Sequence, residues 1–215
     1  MDLALLTARA AVRQLEILGV VHGDDAPKNA EALVLFGPLE PGFWTYFQNQ
    51  PEYLDESPDP MDRWSTRVIS ELAQETDSKP FYPFGGPPHQ PFLTWALASG
   101  RCHLSPVGML VHDRQGLMVS FRGALAFGDP IAAPPPGPIP CTTCDERPCL
   151  TACPVDALSA ETGYDTAACH VSLDNTEEAD CLRQGCRARR ACHVSQAYGR
   201  EPAQSAFHMR TFHPS

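Results

Sequence analysis

The sequence predicts an α+β fold in two domains, and three observations lead to this prediction. In the first part of the chain, stretches with the apolar spacing of helices alternate with short apolar runs that are typical of strands. A proline-rich linker follows over residues 129–140, where we expect an extended and semi-rigid chain. Eight of the nine cysteines lie beyond it, between positions 141 and 192. We therefore predict an α+β domain over residues 1–128 and a cysteine-rich domain with a C-terminal helix over residues 141–215.

The first elements are predicted from periodicity and from glycine and proline positions. Residues 3–18 place their apolar side chains near helical spacing, and Gly19 suits the end of that helix. Residues 31–38 form a short apolar run that predicts a buried strand, and a loop rich in proline and aromatic residues follows it. Pro60 suits the start of the next helix, which we expect to end near Asp77.

The later elements of the first domain are shorter. After an irregular stretch that begins at Lys79, Pro91 suits the start of a short helix. The apolar runs at 107–112 and 117–121 flank a four-residue loop, so they predict a hairpin. Residues 123–127 predict a further strand.

Composition restricts the function classes. The formal net charge is −10, which makes the chain a poor candidate for binding nucleic acid or an anionic membrane. Arg9, Arg13 and Glu16 interrupt the apolar residues at the N-terminus, so we predict no signal peptide, and no stretch approaches eighteen apolar residues. We therefore expect a cytoplasmic protein without a membrane or nucleic-acid partner. In that compartment, clustered cysteines indicate metal or redox chemistry before disulfides.

The first clustered cysteines follow the spacing C-x2-C-x4-C-x3-C-P, beginning at Cys141. Bacterial ferredoxins use C-x2-C-x2-C-x3-C-P, where three thiolates hold one [4Fe-4S] cluster and the fourth reaches a second cluster. The loop is two residues longer here, and four more cysteines follow, the number that a second cluster needs. The interleaved assignment gives cluster 1 the ligands Cys141, Cys144, Cys149 and Cys192. It gives cluster 2 the ligands Cys153, Cys169, Cys181 and Cys186.

Zinc and disulfides are the alternative uses of these thiols. Zinc usually takes paired C-x2-C knuckles, and only Cys141 and Cys144 form such a pair. Disulfides need an oxidising compartment, which nothing in the sequence indicates. A group of arginines lies among the last cysteines, either beside an anionic cluster or on a solvated helix face. These arginines are Arg183, Arg187, Arg189 and Arg190.

The chain resembles epoxyqueuosine reductase in the order of three segments, which are CTTCDERPCLTACPVDAL, GYDTAACHVSL and a late cysteine group. Cobalamin-dependent reductive dehalogenases are similar in plan. The segment from Pro87 to Phe127 resembles the helix, glycine-bearing loop and hairpin of that family. The resemblance implies a nitroreductase-like, corrinoid-binding domain over 1–128 and a ferredoxin-like domain with two [4Fe-4S] clusters. It also implies a cobalamin-dependent oxidoreductase that receives electrons from those clusters.

The sequence also departs from that family. The stretch FYPFGGPPHQP has no acid where the family carries its catalytic Asp, so the catalytic residues stay unassigned. The late cysteines lack the spacing C-x2-C-x3-C-P, and His193 stands in place of the proline. The chain has no counterpart of the family's helical-repeat domain for tRNA, so we do not expect the tRNA reaction.

A corrinoid would involve residues 81–122. His103 and His112 are candidates for approach to cobalt, or else hydrogen-bonding residues, and Cys102 suits a buried apolar role better than that of a nucleophile. The function predicted is single-electron transfer through the two clusters to a redox centre or partner protein. A cobalamin-dependent reductase fed by the clusters and a zinc-bound structural module are the alternatives.

Overall fold

The computed structural model describes residues 1–133, 135–174 and 180–214. Pro134 of the predicted linker lies outside the described residues. The fold combines helices with antiparallel sheets, so the α+β class is confirmed. The chain forms two compact units. Unit 1 consists of Met1–Cys102 and Ser120–Pro136, and unit 2 consists of His103–Val119 and Gly137–Ser215.

Unit 1 contains a four-stranded antiparallel sheet with the strand order β1-β2-β6-β3. Every residue of β2 and β6 is buried, so the middle of the sheet is covered on both faces. The predicted strands at 31–38 and 123–127 are confirmed. The four strands are β1 (Leu15–His22), β2 (Ala32–Pro38), β3 (Lys79–Phe81) and β6 (Gly123–Phe127).

The predicted helix over residues 3–18 is wrong in its second half. Helix α1 covers only Leu3–Ala11, and Gln14 then takes a left-handed backbone conformation with φ of 53° that turns the chain into β1. The apolar run LEILGVV fits the spacing of either a helix or a strand, and antiparallel pairing with β2 favours the strand. Gly19 therefore lies inside β1 and does not end a helix.

The helices of unit 1 surround an aromatic core. The helices predicted from Pro60 and Pro91 are confirmed, whereas α2 and α3 occupy the segment that the sequence predicted as a loop. Their aromatic side chains pack on one another, as where the rings of Phe43 and Trp64 meet edge to face at 5.2 Å. The helices are α2 (Phe43–Gln48), α3 (Pro51–Leu54), α4 (Pro60–Thr76) and α5 (Phe92–Ala98).

The predicted hairpin is wrong in its second strand. Strand β4 (Cys102–Leu104) pairs with β5 (Leu110–His112), and residues 117–121 form no strand. The reason is a tight turn after β5, in which His112 and Gly116 exchange both backbone hydrogen bonds, at 3.0 and 2.9 Å. The next backbone N–H group, of Leu117, then donates to the Ser195 hydroxyl at 2.9 Å.

Unit 2 is made of short elements. Strands β7 (Leu158–Ser159) and β8 (Gly163–Tyr164) form a second antiparallel pair, and the predicted C-terminal helix is confirmed as α10. The helices are α6 (Thr166–Asp174), α7 (Asp180–Gln184), α8 (Arg187–Ala191), α9 (His193–Ala197) and α10 (Pro202–Phe212).

The sequence placed residues 103–119 in the first domain, whereas in the structure they belong to unit 2. Their apolar side chains form a core with residues of the cysteine-rich segment, and the Arg189 guanidinium donates to the Leu117 carbonyl at 3.0 Å. The buried residues of this core are Val107, Val111, Leu117, Cys149, Leu158 and Ala188. In the described ranges, no helix has both the length and the apolar character to cross a membrane.

Candidate metal centres

Four of the clustered cysteines line one cavity of about 90 Å³ in unit 2. Two of them lie in short 3-10 turns, at Pro140–Thr142 and Pro148–Leu150, and a third lies between these turns. The fourth lies between α8 and α9. We call this set site 1, and its members are those predicted for cluster 1, namely Cys141, Cys144, Cys149 and Cys192.

Proline and backbone geometry position these thiols. Pro140 and Pro148 occupy the first positions of the two turns, where their fixed φ favours a helical turn. Arg147 takes a left-handed conformation, with φ of 42°, directly before the second turn. Cys192 has an extended backbone, with φ of −66° and ψ of 124°, so α8 ends there and α9 begins on a new course.

Gly116 packs closely against site 1. Its φ is +58°, which side chains rarely allow, and a Cβ atom there would lie 2.5 Å from the Ser195 nitrogen and 3.0 Å from the Cys192 sulfur. Only glycine therefore leaves this thiol in its place. The apolar part of the cavity wall includes Val111 and Leu117.

The thiols of site 1 interact electrostatically with one another. Burial raises the pKa of the Cys141 thiol, and its neighbours Cys149, Cys192 and Cys144 raise the pKa further, whereas Arg147 lowers it. Burial also raises the pKa of the Cys149 thiol, again with Cys192 and Cys144. The Cys141 and Cys149 thiols are therefore harder to deprotonate than a free thiol, and a bound metal group would favour their thiolate form.

The other four clustered cysteines form a second set in unit 2. Burial raises the pKa of the Cys169 thiol in α6, and Cys186 and Cys153 raise it further. Burial raises the pKa of the Cys181 thiol in α7, and Cys186 again adds to the effect. We call this set site 2, and it has the members predicted for cluster 2, namely Cys153, Cys169, Cys181 and Cys186.

Hydrogen-bond donors point at three sulfurs of site 2. The Ala157 backbone N–H group donates to Cys153 Sγ at 3.3 Å, and the Arg187 backbone N–H group lowers the pKa of Cys181 by donating to its sulfur. The Tyr164 hydroxyl donates to the sulfur of Cys169 and thereby lowers the pKa of that thiol. Tyr164 is 43% exposed, and its partial burial, followed by this hydrogen bond, raises the pKa of its hydroxyl.

The sequence did not single out Tyr164. The tyrosine lies in the quoted run GYDTAACHVSL, but a single tyrosine five residues before a cysteine is not a known ligand spacing. The pairing of β7 with β8, in which Tyr164 lies opposite Leu158, helps to hold the tyrosine near Cys169. A donor of this kind stabilises a thiolate or a metal-bound sulfur.

The arginines among the last cysteines differ in their surroundings. Arg190 lowers the pKa of Cys181, and its guanidinium donates to Asp180 and to the Gly185 carbonyl. Arg183, in contrast, is exposed on α7. Arginine therefore contributes positive charge next to site 2, and part of the group lies on a solvated face.

The remaining candidate residues have local structural roles. His112 is 1% exposed, and its Nδ1 atom accepts the backbone N–H groups of Arg114 and Gln115 at 3.1 and 3.2 Å. This matches the hydrogen-bonding alternative for that histidine. Cys102 is also 1% exposed. His103 is partly buried in β4, and approach of either histidine to cobalt stays a prediction.

Among the described residues, no group of three or more His, Cys, Asp or Glu side chains has the geometry to hold a metal ion. Comparisons with protein-family models, curated proteins and solved structures gave no match to this chain.

Proposed function

We propose that this chain is an iron–sulfur protein that transfers single electrons through two [4Fe-4S] clusters to a redox centre or a partner protein. One observation carries the proposal. The eight clustered cysteines fall into two sets of four, and Cys149 and Cys153, only four residues apart, belong to different sets. Such a division between neighbouring cysteines is typical of two-cluster ferredoxins, whose fourth motif cysteine serves the other cluster.

The residues present fit such groups. Site 1 offers four cysteines around a cavity with an apolar wall, and site 2 offers four cysteines with donors directed at their sulfurs. A [4Fe-4S] cluster supplies one-electron chemistry when it is bound. The protein's part is to hold the cluster, to limit its exposure to water, and to set its potential through burial, hydrogen bonds and nearby charge.

The proposal extends to the fold families and the location. We assign unit 2 to a ferredoxin-like arrangement and unit 1 to a nitroreductase-like one, on the resemblance to epoxyqueuosine reductase, and we place the protein in the cytoplasm. A corrinoid and a cobalamin-dependent reduction are the enzymatic extension of the same resemblance. Cobalt in the purified protein would support that extension.

The first experiment is anaerobic purification with measurement of iron, sulfide, zinc and cobalt per chain. We expect about eight irons and eight sulfides, with broad visible absorption that bleaches on reduction. The Cys102→Ala variant is the matched control, because this ninth cysteine belongs to neither site, and it should keep its iron. Zinc without iron would refute the proposal and favour a structural zinc module.

Two double variants test how the cysteines are shared. Cys144→Ala with Cys192→Ala removes two ligands from site 1 alone, so about half of the iron should remain. Cys186→Ala with Cys192→Ala removes one ligand from each site, so both clusters should be damaged. If each cluster instead used four cysteines consecutive in the sequence, the two variants would give the opposite result.

A further inference from the structure

We propose that the Ser105 hydroxyl donates a hydrogen bond to a sulfur of the group held by site 1, and so raises the reduction potential of that group. The inference rests on the proposed function. It makes Ser105 a positioning residue, which acts through the sulfur that it contacts.

The observation is an unpaired hydroxyl at the cavity. Ser105 lines the cavity together with the four cysteines of site 1, and the residue is only 4% exposed. Its Oγ atom is buried, and it has no hydrogen-bond partner among the described residues. Native proteins rarely leave a buried hydroxyl unpaired, because such a group has lost its water without gaining a partner.

The backbone holds Ser105 at this place. Its N–H group donates to the Met109 carbonyl at 2.9 Å, and its carbonyl accepts the Gly108 N–H group at 2.9 Å. These bonds fix the turn between β4 and β5. The backbone groups of Ser105 are thus paired with protein, and the side-chain hydroxyl remains for a ligand.

A second hydroxyl at the same cavity shows the contrast. Thr143 also lines the cavity, but its Oγ1 atom donates to the Pro140 carbonyl at 3.3 Å, within the turn that carries Cys141. Its hydroxyl is therefore used in local structure. Of these two hydroxyls, the Ser105 group is the one that lacks a protein partner.

The chemistry of the ligand explains the expected effect. Sulfide and thiolate sulfurs accept hydrogen bonds, and they accept them more strongly after an electron has been added. A donor therefore stabilises the reduced state more than the oxidised state. Removal of the donor should shift the midpoint potential of site 1 to a more negative value.

The test is redox titration of the Ser105→Ala variant, followed by electron paramagnetic resonance. We expect one of two midpoint potentials to become more negative while the other stays unchanged, with iron still near eight per chain. The same shift should appear in a background of Cys181→Ala with Cys186→Ala, which leaves site 1 alone. The control is Ser65→Ala in unit 1, whose buried hydroxyl donates to the Met61 carbonyl at 2.7 Å, and it should move neither potential.

Unchanged potentials at full iron content would overturn the inference while leaving the proposed function intact. A wild-type chain without iron would overturn both.

Discussion

The two units of this protein have cores of different chemistry. In unit 1, strands β2 and β6 are buried along their whole length, and large side chains such as Trp64 and Phe36 are completely excluded from water. In unit 2, a buried apolar cluster of six residues includes Cys149. Four more cysteines pack against that core, partly buried, and these are Cys141, Cys153, Cys186 and Cys192.

This difference predicts what stabilises each unit. Unit 1 is stabilised by a sheet whose central strands are buried along their length and by large apolar side chains that water does not reach. Unit 2 uses helices of five residues in α7, α8 and α9, and isolated helices of that length are marginal in water. Where the thiols of such a unit bind a metal group, the free energy of metal binding becomes part of the free energy of folding.

Removal of iron should therefore have the largest effect, and it should act on unit 2 alone. We expect a chelator under oxidising conditions to abolish amide protection in β5 and α8, because their core would lose the group that joins the cysteines. Strands β2 and β6 should stay protected. Hydrogen exchange followed by mass spectrometry measures both units in one sample.

The matched control is the same chain kept anaerobic without chelator. Equal loss of protection in β2 and α8 would contradict the comparison, because it would show that unit 1 also depends on the metal.

One glycine variant in each unit tests this comparison at a single position. At Gly37 in β2, an added Cβ atom would lie 2.4 Å from Leu18 Cδ1 and 2.5 Å from the Ser120 carbonyl oxygen. Gly37→Ala should destabilise unit 1 by about 1–3 kcal/mol through overpacking. At Gly116 the added atom meets Cys192, so Gly116→Ala should reduce the iron content by about half through loss of site 1.

The two glycine variants serve as controls for each other. Iron content checks Gly116→Ala, and urea unfolding followed by tryptophan fluorescence checks Gly37→Ala, because all three tryptophans lie in unit 1. Full iron in Gly116→Ala would show that the loop yields and that Cys192 stays in place.

The sequence predicted the parts of the molecule that depend on local spacing. Helix α4 and strand β2 follow from their apolar patterns and from Pro60. The assignment of the eight cysteines to two clusters stays a prediction, and the structure adds that four of them line one cavity. Strand β1 was mispredicted because its apolar run suits two periods, and only pairing with β2 decides between them.

Other features depend on residues that are distant in the sequence. Residues 103–119 belong to unit 2, where the Leu117 N–H group donates to the Ser195 hydroxyl and the Leu117 carbonyl accepts the Arg189 guanidinium. No short-range sequence pattern indicates these hydrogen bonds. Tyr164 and Ser105 are single polar residues, and nothing in their sequence neighbourhood marks them as hydrogen-bond donors to sulfur. Their proximity to sulfur or to the cavity arises only from the folded chain.

Tyr164→Phe tests whether donors tune site 2 separately from site 1. The variant removes the hydrogen bond to Cys169 and keeps the ring, which stacks on Phe212 with centroids 6.0 Å apart. A hydrogen bond of about 1 kcal/mol corresponds to roughly 40 mV for a one-electron couple, so the potential of site 2 should fall by about that amount. Redox titration should show the potential of site 1 unchanged, and a shift in both potentials would mean that the sites are not tuned independently.

The smallest expected effect concerns an ion pair of unit 1. The Glu52 carboxylate, 10% exposed, accepts the Nε and Nη2 groups of Arg67 at 2.6 and 3.0 Å, and these bonds hold the pKa of Glu52 below its ordinary value of 4.5. Arg67 is 36% exposed, so solvent partly screens its charge. We therefore expect Glu52→Gln to lower the free energy of unfolding by only about 0.5–1 kcal/mol at pH 7.

The pH dependence of that cost follows from the sign of the shift. A carboxyl whose pKa is lower in the folded state contributes its full stability above the unfolded pKa and loses it as the pH falls through the folded pKa. The difference between wild type and Glu52→Gln in urea unfolding should therefore be constant near neutral pH and shrink below about pH 4.5. Glu71→Gln is the control. The Glu71 side chain is 45% exposed and lies 3.5 Å from Arg67, so this ion pair should contribute almost nothing to the free energy of unfolding. A cost for Glu52→Gln that persists at pH 2 would show that packing of the Glu52 side chain, and not its charge, stabilises unit 1.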